Sequence, residues 1–166
     1  MESWILGAFL EAVRQVLYET GVSIDSEAPG GSPGSPDGIV ASVGFTGDLR
    51  GVFTLHADLP SAGGLLRAMT GSVAITLNDA RAALMSMEAF GELTNQISGR
   101  AMTIFYDRKI RCDITPPAIF SGREIRSPSF GPGKSTSVVL HGSFGRLTLF
   151  LGVQDQKSVD LPEKTS

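Results

Sequence analysis

A long helical pattern in the middle of the chain limits what this sequence can fold into. In residues 76–107, TLNDARAALMSMEAFGELTNQISGRAMTIFYD, apolar side chains recur every three or four positions, which predicts a helix. We expect Asn78 to cap this helix, and a bend or break near Gly91 or Gly99. The apolar positions that share one side are Phe90, Leu93, Ile97, Ala101 and Ile104. That side must pack against a core, so the rest of the chain has to provide one.

The remaining segments predict an antiparallel sheet and further helices. Residues 3–20 show the apolar spacing of an amphipathic helix. Residues 38–46 and 50–57 resemble two strands joined by a tight turn at Gly47-Asp48, which predicts a hairpin. Three later segments, IRCDIT, STSVVLHG and RLTLFLGVQ, also predict strands. This order indicates an α+β fold, with a mainly antiparallel sheet packed against two long helices.

Turn and cap residues divide the rest of the chain. A shorter helix is predicted to begin at Asp58, as its cap, and to end at Gly71. Residues 27–38, EAPGGSPGSPDG, have the composition of a flexible loop. The length suits one domain, which we place at residues 1–153, and residues 154–166 form a polar C-terminal tail.

Charge and composition exclude several classes of protein. The formal net charge is −3 and the pI is about 5.3, so there is no basic surplus for neutralising nucleic-acid phosphates or binding an anionic membrane surface. No apolar run is long enough to span a membrane. The N-terminus, MESWILGAFLEAVRQ, lacks the positive start and small-residue cleavage site of a signal peptide, so we expect a cytoplasmic protein.

The sequence offers little for metal binding or covalent catalysis. Its single cysteine, Cys112, lies in a predicted strand without a neighbouring histidine. The two histidines, His56 and His141, lack partners at ligand spacing, so we expect no metal site and no cofactor of the chain's own. The segment SFGPGKSTS resembles a phosphate-binding loop, but Pro128 stands where the pattern needs glycine and a strand follows instead of a helix.

The long helix carries polar residues on the side opposite its apolar face. Glu88, Glu92, Asn95 and Gly99 fall within a band about 60° wide, which we call the polar stripe. An E-x-x-N pattern alone is weak evidence, and a polar stripe is usually only a solvated face. A glycine in a helix costs about 1 kcal/mol relative to alanine, and the approach of a partner protein is one reason to tolerate it.

The helix with ELTNQISG at its centre resembles the signature of the CheX/CheC/FliY family of chemotaxis phosphatases. That signature is [D/S]-x-x-x-E-x-x-N followed by a proline little more than twenty residues later. Glu92 and Asn95 match it, and Pro116 or Pro117 is similar in place to the proline. The segments SVGFTGDLRGVFTL, AGGLLRAMTG and TPPAIFSG also resemble family segments. The resemblance covers roughly residues 5–153, with a single signature helix as in CheX-like members.

The resemblance implies a CheC-like fold and hydrolysis of the aspartyl phosphate of a CheY-like response regulator. It implies that Asn95 orients the attacking water and that Glu92 pairs with the regulator's active-site lysine. A carboxamide can donate and accept hydrogen bonds without charge, which suits a water beside an anionic phosphoryl group. Any Mg²⁺ is expected in the partner's active site. A homodimer formed through sheet edges is also implied, and we expect apolar strands such as RLTLFLGV to be candidate edges.

One position departs from the family pattern. Glu88 stands where the family usually has Asp or Ser, and this longer acid could change the fit to a partner. The alternative hypothesis is therefore a non-catalytic adaptor that binds response-regulator or flagellar-switch-like proteins without hydrolysing anything.

Overall fold

The computed structural model describes residues 2–31, 37–71, 80–125 and 134–154. The helices of this part of the chain are α1 Ser3–Glu19, α2 Leu59–Thr70 and α3 Ala80–Asp107. Its strands are β1 Ser26–Pro29, β2 Asp37–Gly47, β3 Arg50–Ala57, β4 Cys112–Ile114, β5 Ala118–Arg123, β6 Lys134–Gly142 and β7 Gly145–Gln154.

The strands join a single sheet in which each described pairing is antiparallel. The order is β1-β6-β7-β3-β2-β4, and β5 pairs with β2 beside β4. β2 is long enough to pair with β5 through Asp37–Ser42 and with β4 through Phe45–Gly47. The predicted α+β class, the hairpin and the two long helices are confirmed.

One face of the sheet and the three helices enclose a common core. Aromatic rings from both layers meet there: the Phe9 and Phe53 ring centroids lie 4.8 Å apart, and those of Phe45 and Phe105 lie 6.1 Å apart. All four rings are at most 1% exposed. Burying a phenylalanine contributes about 1.5–3 kcal/mol, so this cluster fixes α1 and α3 on the same face of the sheet.

α3 runs unbroken for 28 residues, so the predicted break near Gly91 or Gly99 is wrong. Burial of its apolar side outweighs the roughly 1 kcal/mol that each glycine costs. Four of the five predicted core positions, Phe90, Leu93, Ile97 and Ala101, are at most 4% exposed, and Ile104 is half-buried against the same core. The predicted cap Asn78 lies outside the described residues.

The prediction of a loop over residues 27–38 is wrong at both ends. Residues 26–29 form β1, which pairs with Val138–His141 of β6, and β2 begins at Asp37. β1 is an exposed edge strand held by backbone hydrogen bonds, so it carries no apolar pattern, and Pro29 is tolerated at an edge. Residues 32–36 of the predicted loop lie outside the described part of the chain.

Two further strands differ from expectation. β5 was not predicted, because its six residues pair with β2 at the sheet edge and five of them are exposed. β7, suggested as a candidate edge, lies in the middle of the sheet between β6 and β3. Its alternating Leu147, Leu149 and Leu151 are fully buried, which explains the apolar sequence that had suggested an exposed edge.

The ends of α2 follow the predicted chemistry. The Asp58 carboxylate accepts a hydrogen bond from the Ser61 backbone N–H at 2.8 Å, and Gly71 ends the helix in the left-handed conformation with φ 66°. β7 ends at Gln154, and residues 155–166 lie outside the described part, so the division into domain and tail stays a prediction. No helix among the described residues is long and apolar enough to cross a membrane.

His56 is a buried polar residue on β3 without a hydrogen bond at Nε2 within the described structure. Its side chain is only 7% exposed. Burial, opposed by the Asp58 carboxylate and reinforced by Arg146, lowers the pKa of His56 below its usual value near 6.5. The unfolded chain therefore binds one more proton than the folded chain as the pH falls through 6.5.

We expect the free energy of unfolding to decrease as the pH falls from 7 to 5.5. One proton limits the slope to about 1.4 kcal/mol per pH unit. Urea denaturation at several pH values measures it, comparing wild type with His56→Asn and with His141→Asn, which replaces an exposed histidine. The slope should disappear only in His56→Asn; an unchanged slope in that variant would rule out His56 as its source.

Glu27, whose pKa is lowered by its hydrogen bond to Arg14, affects stability only below about pH 4.5.

Candidate functional site

The polar stripe lies on the solvent side of α3. Glu88 and Glu92 are exposed, Asn95 and Gly99 are half-buried, and the intervening Leu93 is fully buried. Residues three apart on a helix are neighbours, so the Glu92 and Asn95 side chains share one patch of surface. The structure therefore brings together the two predicted site residues where another molecule can reach them.

The two side chains differ in their hydrogen bonding. One carboxylate oxygen of Glu92 accepts a hydrogen bond from the Gln96 side-chain amide at 2.9 Å, which leaves its other oxygen available. The Asn95 carboxamide makes no hydrogen bond within the described part of the chain. Its donor and acceptor groups can therefore bind a molecule from outside.

The backbone that carries this pair is held firmly. The buried Thr94 hydroxyl donates to the Phe90 carbonyl at 2.7 Å, and the buried Ser98 hydroxyl donates to the Thr94 carbonyl at 2.9 Å. Both hydroxyls are thus satisfied inside the helix, and neither is accessible as a nucleophile. Leu93 and Ile97, on either side of Asn95, are fully buried and anchor this turn in the core.

β5 and the segment before it support α3 on one flank of the stripe. A Cβ atom added to Gly91 would lie 2.4 Å from the Ile119 Cδ1 atom and 3.9 Å from the Pro117 Cγ atom. The glycine at position 91 therefore makes room for the protein's own β5. At Gly99 the space is open: among the described residues, no atom of another element lies within 4 Å of the position that a Cβ atom would take. Pro117, one of the two prolines that could match the family pattern, lies against α3 at Gly91.

α1 supports the other flank. The Arg100 guanidinium forms two hydrogen bonds to the Glu19 carboxylate, both 3.0 Å long, and a third to Gln15 at 3.2 Å. These groups are largely exposed, so the ion pair adds little stability, but its paired geometry favours one rotation of α3 relative to α1.

The chemistry of the site is that of a binding and orienting surface. Among the described residues, no group of three or more His, Cys, Asp or Glu side chains could hold a metal ion. Burial raises the pKa of the Cys112 thiol, which donates to the Leu49 carbonyl and is a poor nucleophile. The patch offers carboxylates for a cation and a neutral amide for a water or an oxygen atom.

The polar stripe has an apolar extension that was not predicted from the sequence. Leu84 and Met85 are 57% and 52% exposed, one turn before Glu88 on the same side of α3. Leu84 and Met85 precede Glu88 by four and three residues, a spacing that places them on the same side of the helix. They were not included in the predicted stripe because only polar residues and a glycine were assigned to it.

Comparisons with known proteins agree with this architecture. Residues 39–141, more than half of the chain, match the family model described as chemotaxis phosphatase CheX. A relative from Thermotoga maritima, named CheY-P phosphatase CheX, is 30% identical over 134 residues, covering 76% of this chain and 79% of its own.

Solved structures share the fold at lower sequence identity. The crystal structure of the CheX–CheY–BeF₃–Mg²⁺ complex from Borrelia burgdorferi matches with a TM-score of 0.79 and 21% identity, covering 90% of this chain and 97% of the other. A CheC-like superfamily protein from Shewanella matches with a TM-score of 0.78 and 15% identity, covering 93% and 99%. Together, the family model, the sequence relative and the fold show that this chain belongs to the CheX family of chemotaxis phosphatases.

Proposed function

We propose that this protein hydrolyses the aspartyl phosphate of a phosphorylated CheY-like response regulator. The observation that carries the proposal is the Asn95 carboxamide, which makes no hydrogen bond within the described part of the chain, beside the exposed Glu92 carboxylate on the outward face of α3. Support also comes from the Thermotoga relative, which is named a CheY-P phosphatase, and from the Borrelia CheX, which was crystallised with CheY.

In this proposal Asn95 orients the attacking water. Its carboxamide accepts a hydrogen bond from the water, whose oxygen attacks phosphorus in line with the acyl-phosphate bond. That bond breaks, and the products are inorganic phosphate and the regulator's free aspartate. An uncharged amide can stand beside the phosphoryl oxygens without repelling them, and positioning of this kind supplies much of the rate enhancement in phosphoryl transfer.

Glu92 has a docking role in the proposal. A carboxylate beside a phosphoryl group would be repelled unless a cation stands between them, and the regulator's active-site lysine supplies one. Any Mg²⁺ is assigned to the regulator's own pocket, in line with the content of the Borrelia complex. We also place this protein in the cytoplasm.

We expect Asn95→Ala to slow regulator dephosphorylation by about 100-fold or more, because the water loses its orienting group. Asn95→Asp has the same shape and should also fail, since its charge repels the phosphoryl group. Thr103→Ala, an exposed change two turns further along α3, is the control and should retain activity. The measurement is phosphate release from a panel of CheY-like regulators phosphorylated with acetyl phosphate. Full activity in Asn95→Ala would refute the assignment.

For Glu92→Gln we expect a rise in KM of about tenfold with a smaller change in kcat, because the variant keeps the shape of Glu92 but loses the charge that pairs with the lysine. Glu92→Lys should be worse, since two cations then meet. The same kinetic assay, repeated at low and high salt, separates the charge effect from a structural one. Equal KM values for wild type and Glu92→Lys would contradict the docking role.

The adaptor hypothesis remains an outcome of these experiments. If the wild-type protein binds a phosphorylated regulator but leaves the lifetime of its phosphoryl group unchanged, binding without catalysis is the correct description. The reason for keeping this alternative is Glu88, which stands where the family usually has Asp or Ser.

A homodimer is a further part of the proposal. β7 is internal, so pairing between copies through the described sheet would use its edge strands, β1 or β4–β5. We expect sedimentation equilibrium at micromolar concentration to give twice the monomer mass. A monomer mass across the concentration range would exclude pairing.

A further inference from the structure

Leu84 and Met85 are large apolar side chains that do not belong to the core formed by the described residues. They are 57% and 52% exposed, whereas their neighbour Met87 packs against the core cluster. Leaving two large apolar side chains in water is unfavourable, and exposed apolar surface rimmed by polar residues can mark an interaction site.

Helix geometry places these two side chains at the N-terminal end of the polar stripe. Leu84 lies about 40° to one side of Glu88 around the helix axis and Met85 about 60° to the other side. Along the axis, Leu84 is about 6 Å from Glu88 and about 16 Å from Asn95. A partner that contacts Glu88 and Glu92 would therefore pass between Leu84 on one side and Met85 on the other.

A protein interface of ordinary size that includes Glu92 and Asn95 would also include Leu84 and Met85. A standard interface covers roughly 800 Å² on each partner, which is about 30 Å across if it is round. A partner centred between Glu88 and Asn95 would cover the turn that carries Leu84 and Met85. The same partner must present a cation to the two carboxylates, so its surface combines that cation with a neighbouring apolar patch.

We propose that Leu84 and Met85 are docking residues for the phosphorylated response regulator, in contact with an apolar patch beside its phosphorylated pocket. This inference rests on the proposed function, because it takes the regulator as the molecule that receives Asn95. The two apolar side chains determine which regulator binds, and how tightly, while Asn95 and Glu92 act at the phosphoryl group and its lysine.

The test is the double variant Leu84→Gln/Met85→Gln. Glutamine keeps the side-chain length and helix propensity but cannot bury an apolar surface. Tyr18→Gln is the matched control: Tyr18 is 84% exposed on α1, beside residues 22–27 and near β1. Binding to a beryllofluoride-loaded CheY-like regulator is measured by calorimetry, and dephosphorylation by the kinetic assay.

For the double variant we expect a rise in Kd and in KM of roughly tenfold with kcat unchanged, whereas Tyr18→Gln behaves as wild type. Unchanged Kd and KM in the double variant would overturn the inference. The inference would also be overturned if the double variant changed only its mass in sedimentation, with Kd and KM unchanged. Leu84 and Met85 would then belong to a contact between two copies of this chain.

The two proposals fail in different ways. If wild type shortens the phosphoryl lifetime and the double variant does so equally well, only the docking inference fails. If wild type binds the loaded regulator without hydrolysis, the proposed catalysis fails, and the calorimetric Kd still decides whether Leu84 and Met85 contribute to docking.

Discussion

Burial of one side of α3 is the constraint on which the site depends. Phe90, Leu93, Ile97 and Ala101 pack into the core and fix the rotation of the helix about its axis. A 100° step per residue then determines that Glu92 and Asn95 face outward together. Replacing one buried leucine or isoleucine with alanine would lower the free energy of unfolding by about 2–5 kcal/mol. The packed core therefore fixes the direction of the outward side chains without contacting them.

The support on either flank of α3 explains how a solvent-exposed pair can still be well positioned. Gly91 lets Ile119 approach the helix on the β5 side, and Arg100 holds Glu19 of α1 on the other. Such a surface is prepared before a partner arrives, so less ordering is needed when it binds. A well-packed helix and an Asn95 amide without a hydrogen bond among the described residues are the two features that the proposed water-orienting site requires.

The outer and inner sides of α3 could be predicted from the sequence because apolar residues recur every three or four positions on the side that is buried. The strands at the sheet edges could not. β1 and β5 are exposed and held by backbone hydrogen bonds, which leave little hydropathy pattern in SEAP or AIFSGR. The role of Gly91 was hidden for a related reason, since the atom it accommodates belongs to Ile119, 28 residues further along the chain. Leu84 and Met85 were visible in the sequence, but apolar residues at helical spacing normally indicate a core, and only their exposure separates them from it.

We propose above that the outward face of α3 accelerates loss of a phosphoryl group from another protein. This is tested by the lifetime of the phosphoryl group on purified CheY-like regulators, with this protein present at one tenth of the regulator concentration. We expect at least one regulator to lose its phosphate several times faster, with each protein molecule acting more than once. Unchanged lifetimes on regulators that bind the protein would contradict it.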